Sequence, residues 1–594
     1  KDAELVVMAM GSGTETLRET VDYLNGQGRK VGMVSVHLFR PFSARHLLSV
    51  LPETVKRVAV LDRMKDSGAQ GEPLYMDVKS ALMDSGRHFD AIVGGRFGLS
   101  GKNTTPSHMI SVYDMLANAP KNNFTIGIHD DVTHTSLPWT DVHLKKDGEI
   151  SAKLWGTGGD GTVGANKNSV KIVGATTNQY AQAYFLYDAK KSGGVTQSHL
   201  RFSPNPIHAA YFVDDADFVA VHNSAYLKKF DVGADLKPGG IFLLNCNWSD
   251  NTLETHLPNK LKRDIAEKNI KFYTINATKI ARELGLGNRT NSVLQSAFFK
   301  LTGIIPMDTA VAEMKDAIRK TYLVKAGQSV VDMNCAAVDA GITHLHSVTV
   351  PERWKTVSVE TEESSTHDFY HDLFKPMDRM QGDALPVSLF KKYGTEDGTW
   401  ETGTSKYDKR SDAVTVPKWH AENCIQCNQC AYVCPHAAIR PVLVTEEEKK
   451  VAPANFDTIP ARGMAQYGFR MQVSPYDCLG CGSCVNACIA KTPALTMEPL
   501  ETQEHEAENW TFGVENTPIK KDAVSFKSVR GSQFAQPYYQ FPPACAGCGE
   551  TAYIKLLTQL FGDHMYIANA SGCTAAMGGS LPSTPCCKDE KGFG

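Results

Sequence analysis

The 594-residue chain is 42% hydrophobic and 21% charged, the balance of an ordinary globular protein, and at roughly 150 residues per domain its length predicts about four domains. A net charge of −3 gives no electrostatic footprint for nucleic acid, and no stretch approaches the roughly 18 continuous apolar residues of a membrane span. Eleven of the fifteen cysteines stand in C-x2-C arrays or a matching partner position, which argues for a reducing compartment, so the Asn-x-Ser/Thr triplets at Asn103 and Asn247 read as chance matches.

Residues 4–10 form a buried-strand run, followed by the turn Gly11-Ser12-Gly13 and a helix with Leu17, Val21 and Leu24 on one face. Strands at Val31 to Val36 and Arg57 to Leu61 complete a βαβ unit and its neighbour. A glycine turn feeding a helix can hold a phosphate, but without G-x-G-x-x-G the tight turn is the simpler reading. Gly95 to Lys102 looks like a P-loop and fails as one. Five residues rather than four separate its outer glycines, and Asn103 stands where Ser or Thr should bind magnesium.

From about residue 150 the composition resets with Leu154-Trp155-Gly156 through Gly164, after which a strand is expected at Val170 to Val173. Further strands are expected at Phe218 to Val221, Ile241 to Asn245 and Phe272 to Ile275, with helical stretches between them. Five glycines among the nine residues Gly156 to Gly164 let backbone amides approach a phosphate, a reading favoured here over a purely structural turn. Residues 355–415 are polar, with few strand or helix signals, and read as a linker or small docking segment.

Two copies of C-x2-C-x2-C-x3-C follow. The first is Cys424, Cys427, Cys430 and Cys434, with Pro435 after it; the second is Cys478, Cys481, Cys484 and Cys488, followed by Ile489 instead of proline. This spacing wraps three thiolates around one [4Fe-4S] cube and sends the fourth to a second cube, so the expected wiring is crossed. Cys424, Cys427, Cys430 and Cys488 are assigned to one cluster, and Cys478, Cys481, Cys484 and Cys434 to the other. Structural zinc sites also use C-x2-C pairs, but they do not need a third and fourth cysteine at this repeated spacing. Glycines at 480 and 482 suit a backbone folded tightly around inorganic sulfide.

Beyond this module, Cys545-Ala-Gly-Cys548-Gly-Glu550 leads into a helix carrying Tyr553, Leu556, Leu557, Leu560 and Phe561. A strand expected at Met565 to Ala568 would place Cys573 in the loop after its carboxyl end, where α/β folds bind ligands. Cys545, Cys548 and Cys573 are three ligands of a further site; a fourth would lie beyond Gly594 unless Cys586 or Cys587 supplies it. Cys246 and Cys335 are isolated and read as small buried apolar residues. The chain opens on Lys1 near a strand and stops at Gly594 in mid-loop, and so reads as a segment of a longer polypeptide.

The order of these parts resembles pyruvate:ferredoxin oxidoreductase along essentially the whole chain. The resemblance also rests on Leu61-Asp62-Arg63, Gly71 to Tyr75, Asp130 to Thr133, Leu154 through Lys167, Leu200 to Phe202, Gln295 to Phe299 and Ser583 to Pro585. It implies a multidomain α/β protein, of doubly wound α/β domains with an inserted ferredoxin-like α+β domain. The implied domains are transketolase-C-terminal-like (1–148), CoA-binding (149–360), a small linker (361–415), ferredoxin-like with two [4Fe-4S] clusters (416–518), and the start of a thiamine domain (519–594).

The implied activity is oxidative decarboxylation of pyruvate with CoA, in a homodimer that passes electrons through three [4Fe-4S] clusters to ferredoxin or flavodoxin. Thiamine diphosphate, Mg2+ and CoA are the implied cofactors and co-substrate. By the same resemblance, Cys545, Cys548 and Cys573 hold the third cluster, Glu550 and Cys573 contact thiamine diphosphate, and Asp160, Gly161, Thr162, Val163, Gly164, Lys191, Asn291 and Asn334 contact CoA. No residue of this segment is expected to be catalytic, and the segment alone is expected to be inactive. The implied location is the cytoplasm, or a hydrogenosome-like organelle in a eukaryote. Cys586-Cys587 depart from the family pattern. Two other readings stay open: a different 2-oxoacid as substrate, and a non-catalytic iron-sulfur carrier.

Overall fold

A computed structural model describes residues 1–144, 146–287, 289–359, 368–589 and 591–592. The chain divides into two compact units: residues 1–155, 161–185 and 197–397 form one, and residues 156–160, 186–196 and 398–594 the other.

The first unit begins with five parallel strands: β1 (Leu5–Ala9), β2 (Val31–Ser35), β3 (Arg57–Asp62), β4 (Ala91–Arg96) and β5 (Phe124–Thr125). Their order in the sheet is β2-β1-β3-β4-β5. Alternation along the strands sends side chains to both faces. Val7, Ala9, Ala59 and Leu61 pack on the helices Gly13–Gly26 and Pro106–Asn118 through Leu17, Leu24, Val112 and Leu116. Val6, Met8, Val58 and Val60 pack on the helices Ala44–Val50 and Pro73–Asp84 through Leu47, Leu74, Val78 and Leu82. Both faces are covered, so the sheet is doubly wound and its strands read as continuous apolar runs.

The second sheet is built from β6 (Ile150–Thr157), β7 (Tyr180–Tyr187), β8 (Val195–Ser203), β9 (Ala216–Val221), β10 (Leu236–Asn245), β11 (Lys271–Ile275) and β12 (His346–Ser347). Its order is β12-β11-β10-β9-β6-β8-β7, with β6, β9, β10 and β11 parallel. The chain leaves β6 for one side of the sheet and returns through β9 to the other, so strand order reverses at β6 and its carboxyl end is a switch point. The strand expected at Val170 to Val173 is instead the end of a 15-residue helix, Thr162–Thr176. Its buried residues are Thr162, Ala165, Asn166, Ser169, Ile172 and Val173, and their spacing of three, one, three, three and one is helical.

In the second unit β13 (Thr415–Trp419) pairs antiparallel with β17 (Leu495–Pro499), and β14 (Ile439–Val444) and β15 (Ile459–Pro460) flank β16 (Gly468–Val473). The insertion between the two cysteine arrays is therefore an ordered antiparallel sheet. Its residues Ile439, Leu443, Phe469, Met471 and Val473 share a core with Ala431, Cys484 and Leu495. The polar stretch read as a linker holds short helical turns at Tyr370–Phe374, Lys375–Asp378 and Val387–Lys392, while its residues 360–367 lie outside the described residues. A second correction concerns Met565 to Ala568. They form no strand, and Tyr566 is fully exposed; β structure needs a paired edge, and none meets this stretch among the described residues.

Candidate metal centres and cofactor loop

Each cysteine array makes the same turn by different chemistry. In the second array Gly480 and Gly482 have φ of 66° and 74°; the residues at the same places in the first array are Gln426 and Asn428, with φ of 56° and 62°. A left-handed backbone costs a non-glycine residue about 1–2 kcal/mol. Side-chain hydrogen bonds offset that cost here. Gln426 donates to Pro460 O at 2.8 Å and accepts from the Arg462 amide at 2.7 Å, and Asn428 donates to Arg530 O at 2.9 Å. At Gly480 no side chain fits, because a Cβ would lie 2.8 Å from Thr415 O. Each turn leads into a short helix, Gln429–Val433 or Ser483–Asn486, and the two helices pack together.

One small cavity is lined by Cys434 of the first array and by Cys478, Cys481 and Cys484 of the second. His436 lines it as well; its Nε2 is buried and has no hydrogen-bond partner among the described residues. Burial pulls the His436 imidazole down to about 3, so the ring is neutral at ordinary pH. Burial likewise pushes the Cys478 thiol up and the Cys484 thiol up to about 12, with Cys434 acting in the same direction on both. Cys430 is pushed up by burial, and its neighbours Cys484, Cys424 and Cys427 add to the effect. Cys488 follows the second helix, its amide bonded to Val485 O at 3.1 Å. Four soft thiols and an orphaned ring nitrogen on one cavity fit an iron-sulfur group held by Cys434, Cys478, Cys481 and Cys484. No three or more His, Cys, Asp or Glu side chains of the described residues are grouped to hold a single metal ion. Cube ligands each bind a different iron, so their sulfurs need not converge on one point.

The third motif lies against this cavity. A Cβ on Gly547 would be 3.4 Å from Cys481 Cβ and 3.7 Å from Ser483 Oγ. The loop is held from two sides: the Ala546 amide donates to Ser192 Oγ at 2.8 Å and the Lys191 amide to Pro543 O at 3.2 Å, while Arg410 donates to Ser192 O at 3.2 Å and to the carbonyls of Phe541 and Pro542. Cys545 is exposed and Cys548 half-buried; Glu550 directly precedes the helix Thr551–Phe561, and Cys573 begins a separate helix, Cys573–Gly578. That first helix reverses the expected amphipathic pattern. Tyr553, Leu557, Leu560 and Phe561 are exposed, whereas Thr551, Lys555, Thr558 and Gln559 are buried. Burial pulls the Lys555 ammonium down to about 8, and Cys434 and Cys430 oppose that shift. Cys586 is bridged to Tyr539 through the backbone and Cys587 donates to Pro585 O at 3.4 Å; burial pushes both thiols up.

The glycine-rich loop leaves β6 at the switch point and opens the helix Thr162–Thr176. Its residues Gly156, Gly158 and Gly161 spell G-x-G-x-x-G after a strand and before a helix, a fingerprint that is absent at Gly11. Asp160 accepts the Thr157 amide at 2.8 Å and the Gly158 amide donates to Gly194 O at 2.8 Å. Gly161 has a φ of 87°, and a Cβ there would lie 3.1 Å from Asn291 Cγ. Asn291 is thus beside the loop. Thr162 points its hydroxyl inward to His222 Nδ1 at 2.7 Å, while Gly164 is exposed with open space where a Cβ would go. Asn334 is interior: it is 4% exposed and bonded to Val330 O and Ser292 Oγ, inside the packing of the helices Asn291–Thr302 and Gln328–Thr343. Lys191 is exposed and lies in the other unit. Cys246 is buried, as its isolation suggested, whereas Cys335 is only half-buried at the edge of the core.

Residues 151–344 match the family model described as "Pyruvate ferredoxin/flavodoxin oxidoreductase", residues 3–109 "Pyruvate:ferredoxin oxidoreductase core domain II", residues 423–492 "4Fe-4S dicluster domain" and residues 356–413 a "Domain of unknown function". Along its full length the chain is 51% identical to a pyruvate-flavodoxin oxidoreductase of Enterobacter agglomerans and 50% identical to a pyruvate:ferredoxin oxidoreductase of Moorella thermoacetica, covering 50% and 51% of them. It is 43% identical to a mitochondrial pyruvate dehydrogenase [NADP(+)] of Euglena gracilis, of which it covers 33%. The chain thus spans about half the length, or less, of these relatives. No helix among the described residues is long and apolar enough to cross a membrane.

Proposed function

Over residues 3–109 and 151–344 the chain belongs to the pyruvate:ferredoxin/flavodoxin oxidoreductase family, and on that premise we propose that it is the CoA-binding and electron-carrying part of an enzyme that oxidises pyruvate. The reaction is pyruvate plus CoA-SH giving acetyl-CoA, CO2, one proton and two electrons, the electrons leaving singly for ferredoxin or flavodoxin. Thiamine diphosphate, when bound, supplies the acyl-anion chemistry that one-electron acceptors can drain and nicotinamide cannot. In this reading Cys545, Cys548 and Cys573 hold the cluster nearest thiamine, with Glu550 and Cys573 contacting thiamine diphosphate. Cys478, Cys481, Cys484 and Cys434 hold the next, and Cys424, Cys427, Cys430 and Cys488 the last. The loop Asp160 to Gly164, with Asn291, receives CoA; Lys191 is a weaker candidate, and the interior setting of Asn334 suits support of Asn291's helix better than contact with CoA. The domains divide at about 148, 360, 415 and 518, in a homodimer of a reducing compartment.

The observation that carries the reading is the single cavity shared by Cys434 and the second array, with the third motif against it at Gly547. Two adjacent cluster sites and a third beyond them make an electron path, which an inert zinc scaffold would not need. The test is Cys434→Ser in the anaerobically prepared protein, with iron counted and the clusters followed by paramagnetic resonance. About four irons should be lost, from the cluster of Cys478, Cys481 and Cys484. Loss of the cluster held by Cys424, Cys427 and Cys430 instead would refute the wiring, and absence of pyruvate- and CoA-dependent ferredoxin or flavodoxin reduction by the intact enzyme would refute the activity.

A further inference from the structure

We propose that Lys555 is a potential-setting residue, a buried cation that raises the reduction potentials of the two clusters on either side of the helix Gln429–Val433. The inference rests on the cluster assignment above. Lys555 is 2% exposed, on the buried face of the helix Thr551–Phe561 beside Thr551, Thr558 and Gln559.

Its Nζ donates to the carbonyls of Ala431 and Tyr432, the latter at 3.2 Å. Both residues lie between Cys430 and Cys434, so the ammonium stands on the segment that supplies one ligand to each cluster. Among the described residues no carboxylate pairs with it, and two carbonyl dipoles do not neutralise a full charge whose desolvation costs several kcal/mol. Arg440 repeats the pattern nearby. It is 9% exposed, donates to Ala437 O at 2.9 Å and to Gln540 Oε1, and is likewise without a carboxylate partner among the described residues. A [4Fe-4S] cube with four thiolates carries a formal charge of −2 when oxidised and −3 after taking one electron. Two buried cations short of anions, next to Cys430 and Cys434, are the countercharge such groups require. A fixed cation at close range stabilises the trianion more than the dianion, and so raises the potential in a poorly screened interior.

The experiment is a redox titration of the intact, cluster-loaded protein carrying Lys555→Gln or Lys555→Met, read by paramagnetic resonance with iron counted in parallel. Glutamine keeps an amide donor for the two carbonyls without the charge; methionine keeps only the shape. If charge is what matters, both variants retain iron, and at the native midpoint the reduced-to-oxidised ratio of the flanking clusters falls at least tenfold, a shift of about 59 mV to more negative potential for a one-electron couple. Lys491→Gln, which removes an exposed charge three residues after Cys488, should leave the midpoints in place because solvent and salt screen it. A merely structural Lys555 predicts the opposite: native potentials in Lys555→Gln, or loss of clusters in both variants. Either result overturns the proposal. Iron content of the unsubstituted protein separately tests the cluster assignment on which it rests.

Discussion

Gly161 and Gly164 lie three residues apart in the loop assigned to CoA, yet a methyl group has opposite consequences at the two. At Gly161 the φ of 87° puts alanine in the left-handed region, at about 1–2 kcal/mol, and the new Cβ meets Asn291 Cγ at 3.1 Å and Cβ at 3.3 Å, inside the roughly 3.5–4.0 Å of a relaxed carbon contact. Asn291 must give by a few tenths of an ångström, so Gly161→Ala should lower stability by about 2 kcal/mol. Gly164 sits in the first turn of the helix Thr162–Thr176 with nothing within 4 Å of a Cβ, so Gly164→Ala should leave stability unchanged or raise it by at most about 1 kcal/mol. CoA binding separates a ligand loop from a turn. If phosphate oxygens sit on these amides, the displaced loop of Gly161→Ala weakens CoA at least about tenfold, or about 1.4 kcal/mol, and the methyl of Gly164→Ala weakens it with no loss of stability. Calorimetric titration with CoA, beside thermal unfolding of the same variants, reads both. Native CoA affinity in both variants, with Gly161→Ala destabilised as expected, would show that the strain is real and the loop does not hold CoA.

In the ferredoxin-like part, Arg470 donates twice to Glu506 at 2.8 Å, and Gln472 and Asn509 donate to the same carboxylate at 2.8 and 3.1 Å. Removing one partner of such a buried pair costs about 3–5 kcal/mol, so Glu506→Ala should bring forward the thermal loss of cluster absorbance. Burial pushes Glu506 up, but Arg470 and the hydrogen bonds outweigh it and hold the carboxyl below its usual range. A depressed folded-state value gives stability that is fully present above the unfolded value of about 4.3 and is lost as pH falls through the folded one; Glu506→Gln should flatten that acid slope, and an unchanged slope would sink the assignment. Gly341→Ala would put a Cβ 2.1 Å from Ser296 Oγ and Val293 O where two helices touch, and should cost about 3 kcal/mol in unfolding experiments; a neutral result would mean the helices are not packed this closely.

Strands β1, β2, β3, β9, β10 and β11 are legible because each is an apolar run bounded by turns, whereas β7 and β8 carry Gln182, Gln197 and His199 among their apolar residues and give no such run. Where the reading failed, a local run had two interpretations and tertiary context decided between them. Val170 to Val173 are β-branched enough for a strand, but the positions that bury belong to a longer helical period starting at Thr162. Met565 to Ala568 have a strand's composition and no edge to pair with among the described residues. The G-x-G-x-x-G at Gly156, Gly158 and Gly161 is present in the sequence, and its spacing, rather than the number of glycines, is what carries the phosphate-loop signal. Glycines at 480 and 482 were legible as tight turns, whereas Gln426 and Asn428 make the same left-handed turn with side chains anchored to Pro460, Arg462 and Arg530, partners that local sequence does not announce.

Ligands and their tuning differ in legibility for a physical reason. A thiolate must reach its iron from a backbone a few ångströms away, so the ligand set is written as short spacings that survive in one dimension. Electrostatic tuning has no such constraint: a cation acts through space and can come from any element that packs nearby. Lys555 is more than a hundred residues from the carbonyls it meets, on a helix outside both cysteine arrays, and His436 and Arg440 look in sequence like ordinary polar residues of the insertion. The two arrays could therefore be read as equivalent halves, but the structure surrounds them unequally. The cavity of Cys434 and the second array has on its wall a neutral imidazole whose Nε2 lacks a partner among the described residues, and the third motif against it, whereas Cys424 and Cys427 belong to the half farther along the chain from that motif. Repeated spacing thus marks the candidate ligands, while the unrepeated residues around them make the surroundings of the two arrays unequal.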